Sequence, residues 1–138
     1  MKYLLDTNAM IALLKNSNAI LGRRVRQCNP GQVCISSIVV HELYFGAYKS
    51  GRVQENLSVL DKLAFEVVDF GQEDARQAGR VRAEMARQGT PIGPYDALIA
   101  GQAAQRGLVL VTRNGREFQR VQGLRWEDWE STAEPLPG

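Results

Sequence analysis

With 138 residues, 44% of them hydrophobic and 23% charged, the chain is sized for one globular domain whose core needs neither disulfides nor structural zinc. No apolar run approaches the roughly 20 residues of a membrane span, and a net charge of +2 is too small to mark nucleic-acid binding by itself. Arg supplies 13 of the 17 basic residues, a planar fork suited to phosphate, although an Arg-rich genome accounts for that bias as well.

The start, Met1-Lys2-Tyr3-Leu4-Leu5-Asp6, meets an acid too early for a signal peptide. Residues 2–5 read as a short buried strand and 7–14 as a helix leaving it. Residues 19–27 form a basic amphipathic helix, stopped before Asn29-Pro30-Gly31. A second strand is expected over 32–35. Ser36 and Ser37 cap the next helix, which ends near Ser50-Gly51, and 53–63 continues as its hairpin partner. Residues 65–70 are rich in strand-favouring types and read as a third strand. A long charged helix follows over 72–87, with Ala75, Ala78, Val81, Met85 and Ala86 near one face, and Gly89 stops it. Gly93 and Pro94 suit the cap and first position of another helix, which Gly107 closes. Residues 108–112 form a fourth strand and 124–126 a short fifth one at the edge. The domain is expected over 1–130, with 131–138 a frayed tail. Cys28 and Cys34 lack metal or redox spacing, so a reducing cytoplasm is the expected compartment.

Strands alternating with helices imply an α/β fold with a parallel sheet covered on both faces. In such sheets ligands bind beyond the carboxyl ends of the strands. Asp6 falls at the end of strand one, 112–117 just past strand four, and Asp96 reaches the same edge if its helix begins there.

Four acids stand out because carboxylates avoid apolar surroundings unless paired or bound to a cation. Asp6 also reads as the cap of its helix. Glu42 has Ile38, Val39, Phe45 and Gly46 as helical neighbours, which favours a site over a solvated face. Asp96 lies in a first turn, where the helix dipole accounts for it as well as a site does. Asn114-Gly115-Arg116-Glu117 reads as a capping box, the structural account leading for Glu117. If the fold gathers these acids, the simplest reason is a divalent metal with oxygen ligands. His41, the only histidine, excludes multi-histidine zinc sites and reads as structural. Tyr44, Phe45, Tyr48 and Tyr95 read as packing residues, Tyr95 being the one placed to reach a rim beside Asp96. Arg113, Arg116 and Arg120 cluster near the proposed edge, suited to an RNA backbone or simply to solvent.

The segments Leu5-Asp6-Thr7-Asn8, Ser36-Ser37 leading to Glu42, Gly89-Thr90-Pro91-Ile92-Gly93-Pro94-Tyr95-Asp96, Leu110-Val111-Thr112-Arg113-Asn114, Glu117-Phe118 and Leu124-Arg125-Trp126-Glu127-Asp128-Trp129, in this order, resemble the PIN-domain ribonucleases. Within them the chain resembles the VapC toxins of toxin–antitoxin modules. Its Gly93-Pro94-Tyr95-Asp96 segment and residues 114–118 are similar to the branch that cleaves initiator tRNA. The resemblance implies a three-layer α/β/α domain with four to five parallel strands, Mg²⁺ or Mn²⁺, a homodimer, and a VapB-type antitoxin through which DNA is met only indirectly. It implies Asp6, Glu42 and Asp96 as the core acids that bind metal and carry catalysis. Thr7, Thr112, Asn114 and Glu117 would support them. Asn114 stands where many relatives have a further aspartate, which leaves the fourth ligand open. The expected activity is metal-dependent hydrolysis of RNA, tRNA by resemblance, with water as nucleophile. Two rivals use the same residues: a non-cutting partner of an antitoxin repressor, and a DNA-directed nuclease.

Overall fold

The computed structural model describes residues 1–131; the expected tail beyond Ser131 lies outside the described residues. Short apolar runs make the centre of the sheet. In β1 (Tyr3–Leu5), β2 (Val33–Ser36) and β4 (Val109–Val111), every residue but the half-buried Tyr3 is buried. Such continuous runs are what a sheet covered on both faces requires, since neither side of the strand meets water. β3 (Glu66–Val68) and β5 (Arg125–Glu127) lie at the two edges and carry exposed residues accordingly. All five strands are parallel, in the order β3-β2-β1-β4-β5.

The helices follow in the expected places. They are α1 (Thr7–Leu14), α2 (Ala19–Gln27), α3 (Ser37–Lys49), α4 (Val53–Asp61), α5 (Gln72–Arg87), α6 (Pro94–Arg106) and the single turn α7 (Gly115–Phe118). Ser36 caps α3 by accepting a hydrogen bond from the Ile38 N–H at 3.0 Å. Gly107 ends α6 in a left-handed conformation at φ +65°, which costs glycine little. Tyr44 ties α3 to α4 by donating its hydroxyl to Asp61 at 2.8 Å.

Several boundaries differ from expectation. β2 begins at Val33 because Gln32 belongs to a tight turn, where its side chain accepts from the Asn29 N–H at 2.8 Å. The third and fourth strands are shorter than predicted, the fifth runs one residue later, and α4 stops at Asp61. On α5 the buried stripe is Asp74, Ala78, Val81 and Met85, while Ala75 and Ala86 face solvent. The cause is α6: a Cβ added at Gly101 would lie 2.7 Å from the Ala78 Cβ, so the two helices meet backbone to backbone there. That rotation buries Asp74, which is satisfied by Arg106 at 2.9 Å, by the Gln102 amide at 3.4 Å and by the Gly71 N–H at 2.8 Å. Two aromatic residues of α3 depart from the packing role expected of them: Phe45 and Tyr48 are 61% and 66% exposed. Tyr95 on α6 is 47% exposed, as a residue at the rim would be.

The strand order positions the site. β1 continues to β2 and β3 on one side, and the chain then crosses to β4 and β5 on the other. The order therefore reverses between β1 and β4, the place where open α/β sheets form a crevice.

Candidate active site

Register alone brings four predicted or neighbouring polar residues into one row. Leu5 pairs with Ile35 and with Val111, and Val111 pairs with Glu127. The next residue of each strand is Ser36, Asp6, Thr112 and Asp128, side by side at the carboxyl edge. The Asp6 N–H donates to the Val111 carbonyl at 3.1 Å, and the Thr112 N–H to the Glu127 carbonyl at 3.0 Å, which carries the ladder one step past β1 and β4.

Asp6 is buried and serves the capping role read from the sequence. One carboxylate oxygen caps α1 by accepting the Ala9 N–H at 2.8 Å. Burial pushes its pKa up, against the Ala9 N–H, the Thr112 hydroxyl and the Arg113 charge, while Asp128 adds to the rise. Thr7, beside it, holds a buried hydroxyl oxygen with no partner among the described residues. An orphaned oxygen next to a buried carboxylate is a place where a ligand or its water fits.

Asp96 sits in the first turn of α6, half-buried, and its pKa is pushed up to about 6. Burial is the largest cause, followed by the charges of Glu117, Asp6 and Glu42. The helix dipole alone would favour the charged form and lower the value, so the dipole does not account for this acid. Asp6 at the cap of α1, Glu42 on α3 and Glu117 on α7 thus all bear on Asp96. Glu42 is half-buried on α3 and borders an apolar groove of about 500 Å³ between α1, α3 and α4.

Glu117 corrects the capping-box expectation. Asn114 makes no side-chain cap; the turn is held by the Glu117 N–H on the Asn114 carbonyl at 3.0 Å. The Asn114 N–H donates to the Thr112 hydroxyl oxygen at 3.0 Å, so Thr112 fixes the loop that leads into α7. The Glu117 side chain is free to line a second groove, of about 350 Å³, with Asp96, Arg116 and Arg120. Arg113 is exposed, and its charge favours the ionised forms of Asp6 and Glu130.

Asp128 and Glu130 belong to this region, although neither stands out in the sequence as a site residue. Asp128 raises the pKa of Asp6, and Glu130 is raised by burial and by Asp128 and Asp6, against Arg113. Both are anchored from α2 and its N-cap: Arg24 donates to the Asp128 carbonyl at 2.9 Å and the capping Asn18 to the Glu130 carbonyl at 3.2 Å. The signal that finds them is their position just past a parallel strand, the same rule that singled out Asp6.

The donors around the crevice are carboxylate and hydroxyl oxygens, which suit a hard divalent cation and not a soft one. Among the described residues no three His, Cys, Asp or Glu close into a ready-made metal cage. The donor set therefore fits a cation that keeps much of its water, as Mg²⁺ does, better than a fully enclosed ion.

Residues 3–124 match the family model of the PIN domain. The chain is 47% identical over 131 residues to the tRNA(fMet)-specific endonuclease VapC of Shigella flexneri, across 94% of this chain and 98% of that one. It is 40% identical to Ribonuclease VapC2 of Haemophilus influenzae with the same coverage. The fold superposes on DNA-bound VapBC from Salmonella typhimurium with a TM-score of 0.87 at 46% identity, covering 94% of this chain and 98% of that chain. VapBC2 from Rickettsia felis, bound to a fragment of its promoter, gives a TM-score of 0.86 at 32% identity, covering 94% and 99%.

Proposed function

The chain belongs to the PIN-domain family, in its VapC ribonuclease branch, and from that premise we propose that it is the toxin of a VapBC-type pair, cutting tRNA with the help of Mg²⁺ or Mn²⁺. One observation carries this reading most. Asp96 is driven up to about 6 by burial and by Glu117, Asp6 and Glu42, a load on this carboxylate that a divalent cation would relieve.

Asp6 and Asp96 would hold the cation directly, with Glu42 and Glu117 reaching it through water. When bound, the cation supplies Lewis acidity, making water a better nucleophile and offsetting charge on the phosphate. Thr112 orients Asp6, and Thr7 offers its unpaired oxygen to the first layer of water or to the phosphate. Arg116 and Arg120, lining the groove beside Asp96, would hold flanking phosphates of the RNA. Asn114 acts through the loop it begins and not as a charged ligand.

The apolar groove bordered by Ile11, Leu14, Leu43 and Leu60 runs up to Glu42. An antitoxin segment with an apolar face would lie there and bring its end to the acids, which makes it the natural seat of a VapB-type partner. DNA is then met through that partner. We further propose one PIN domain over 1–130 in each chain of a cytoplasmic homodimer.

One rival uses the same residues, a PIN protein that binds its antitoxin and does not cut. Purified protein incubated with total RNA and Mg²⁺ separates the two. New 5′ and 3′ ends in tRNA, lost in EDTA and in Asp96→Asn, are expected. Intact antitoxin binding with no metal-dependent cleavage of any RNA selects the rival.

A further inference from the structure

α3 and α6 carry Glu42 and Asp96, and the residue before each acid is aromatic. His41 and Tyr95 bring their rings together across the two helices, 5.7 Å between centroids and 33° from parallel. A pair that only held the helices together would be buried by its neighbours. Here Tyr95 is 47% exposed and His41 is exposed, so aromatic surface stays open directly beside two of the acids. The stripe continues along one face of α3, where His41, Phe45 and Lys49 follow at intervals of four. Phe45 is 61% exposed, and the Lys49 ammonium lies 5.7 Å from its ring.

We propose that Tyr95, backed by His41, is a stacking platform for one unpaired base of the RNA beside the bond that is cut. Phe45 and Lys49 extend the path for the next nucleotide. This rests on the RNA-cleaving reading above and adds a specificity-determining element to it. Single-stranded RNA presents splayed bases that stack on Tyr and His faces, while cations track the phosphates between them. Rings that end on the Lys49 ammonium, with Arg116 and Arg120 on the other side of Asp96, offer partners to both halves of that polymer. Arg116 and Arg120, on the Asp96 side, place the phosphates over the acids. Tyr95 thereby positions the chain that enters the crevice and takes no part in the chemistry.

The probe is a synthetic stem–loop of the initiator-tRNA anticodon arm carrying 2-aminopurine at each loop position in turn. Binding to Asp96→Asn protein is read by fluorescence, and cleavage by the otherwise unaltered protein is read as KM against kcat. Quenching at one loop position is expected, kept in Tyr95→Phe and lost in Tyr95→Ala. Tyr95→Ala should weaken binding about tenfold and raise KM more than it lowers kcat. His41→Ala, on the other helix, should weaken binding in the same direction. The platform is overturned if Tyr95→Ala binds as tightly as its parent, or if Tyr95→Phe fails as badly as Tyr95→Ala. It is also overturned if light scattering shows that Tyr95→Ala merely splits a dimer whose halves still bind RNA, which assigns the aromatic face to a second copy. Wild-type protein that leaves all RNA intact defeats the functional reading and the platform with it. Wild-type cleavage that Tyr95→Ala reproduces defeats the platform alone.

Discussion

Gly115, the first residue of α7, lies directly against the indole ring of Trp126 in β5, with no room for a Cβ between them. The contact presses the loop from Thr112 onto the sheet edge and sets where Arg116 and Glu117 emerge. Gly115→Ala must push either the ring or the turn. We expect a loss of about 1–3 kcal/mol, the usual cost of overpacking, measured by urea unfolding. Cleavage should fall with it under conditions where the variant is still folded, because Glu117 is the largest charge acting on Asp96.

Asp96 gives the metal-free protein a specific pH dependence. Its carboxyl titrates at about 6 in the folded chain and near 3.8 when unfolded. Between those values the folded state holds the extra proton, so stability from this group rises as pH falls from 7 towards 4. The same proton competes with a cation, so Mg²⁺ or Mn²⁺ affinity should fall as pH drops through 6. Asp96→Asn should raise metal-free stability at pH 7 by on the order of 1 kcal/mol, discounted for a half-exposed group. Thermal melts with and without metal, across pH 5 to 8, check both signs; a variant less stable than wild type at pH 7 without metal contradicts the repulsion.

Much of this arrangement was readable from the chain alone, for physical reasons that differ by element. Leu4-Leu5 and residues 109–111 are unbroken apolar runs, which suit a strand buried on both faces, and their alternation with helical patterns made that reading the consistent one. Gly107 and Pro94 mark their helix ends by backbone chemistry that is local. Glu117 misled because Asn-x-x-Glu looks the same whether or not the Asn side chain turns back, and that choice belongs to Trp126 and the sheet edge. Phe45 and Tyr48 misled because an aromatic on a helix normally faces a core, and no local signal says that a helix face stays open. Asp128 joined the site through strand register, since it follows Glu127, the partner of Val111, just as Thr112 follows Val111, and no short motif contains that relation.

Asp74 and Arg106 supply a second, oppositely signed pH effect away from the crevice. Burial would raise the Asp74 carboxyl, but hydrogen bonds from Arg106, the Gly71 N–H and Gln102 together hold it below its ordinary 3.8. Its stabilising contribution is present above that range and is lost as pH falls through the depressed value. Arg106→Ala leaves the buried carboxylate short of a partner and should cost about 2 kcal/mol at pH 7. The difference between variant and wild type should shrink in acid, measured by denaturant midpoints at pH 7 and pH 3.5. A constant difference would assign the loss to packing and not to the ion pair.

Asp6 combines a helix cap with a proposed ligand, and two substitutions pull these apart. Asparagine keeps an oxygen that can accept the Ala9 N–H, so Asp6→Asn should stay within about 1 kcal/mol of wild type. Alanine removes the cap and should cost about 1 kcal/mol more than asparagine. Both remove the charge, and both should lower metal-dependent cleavage by more than roughly a hundredfold, beyond the scale on which outer partners of a metal ligand act. Isothermal titration with Mn²⁺ should show weakened binding in both. If Asp6→Asn cleaves as wild type does while Asp6→Ala is inactive, the residue is a cap alone and the cation belongs elsewhere.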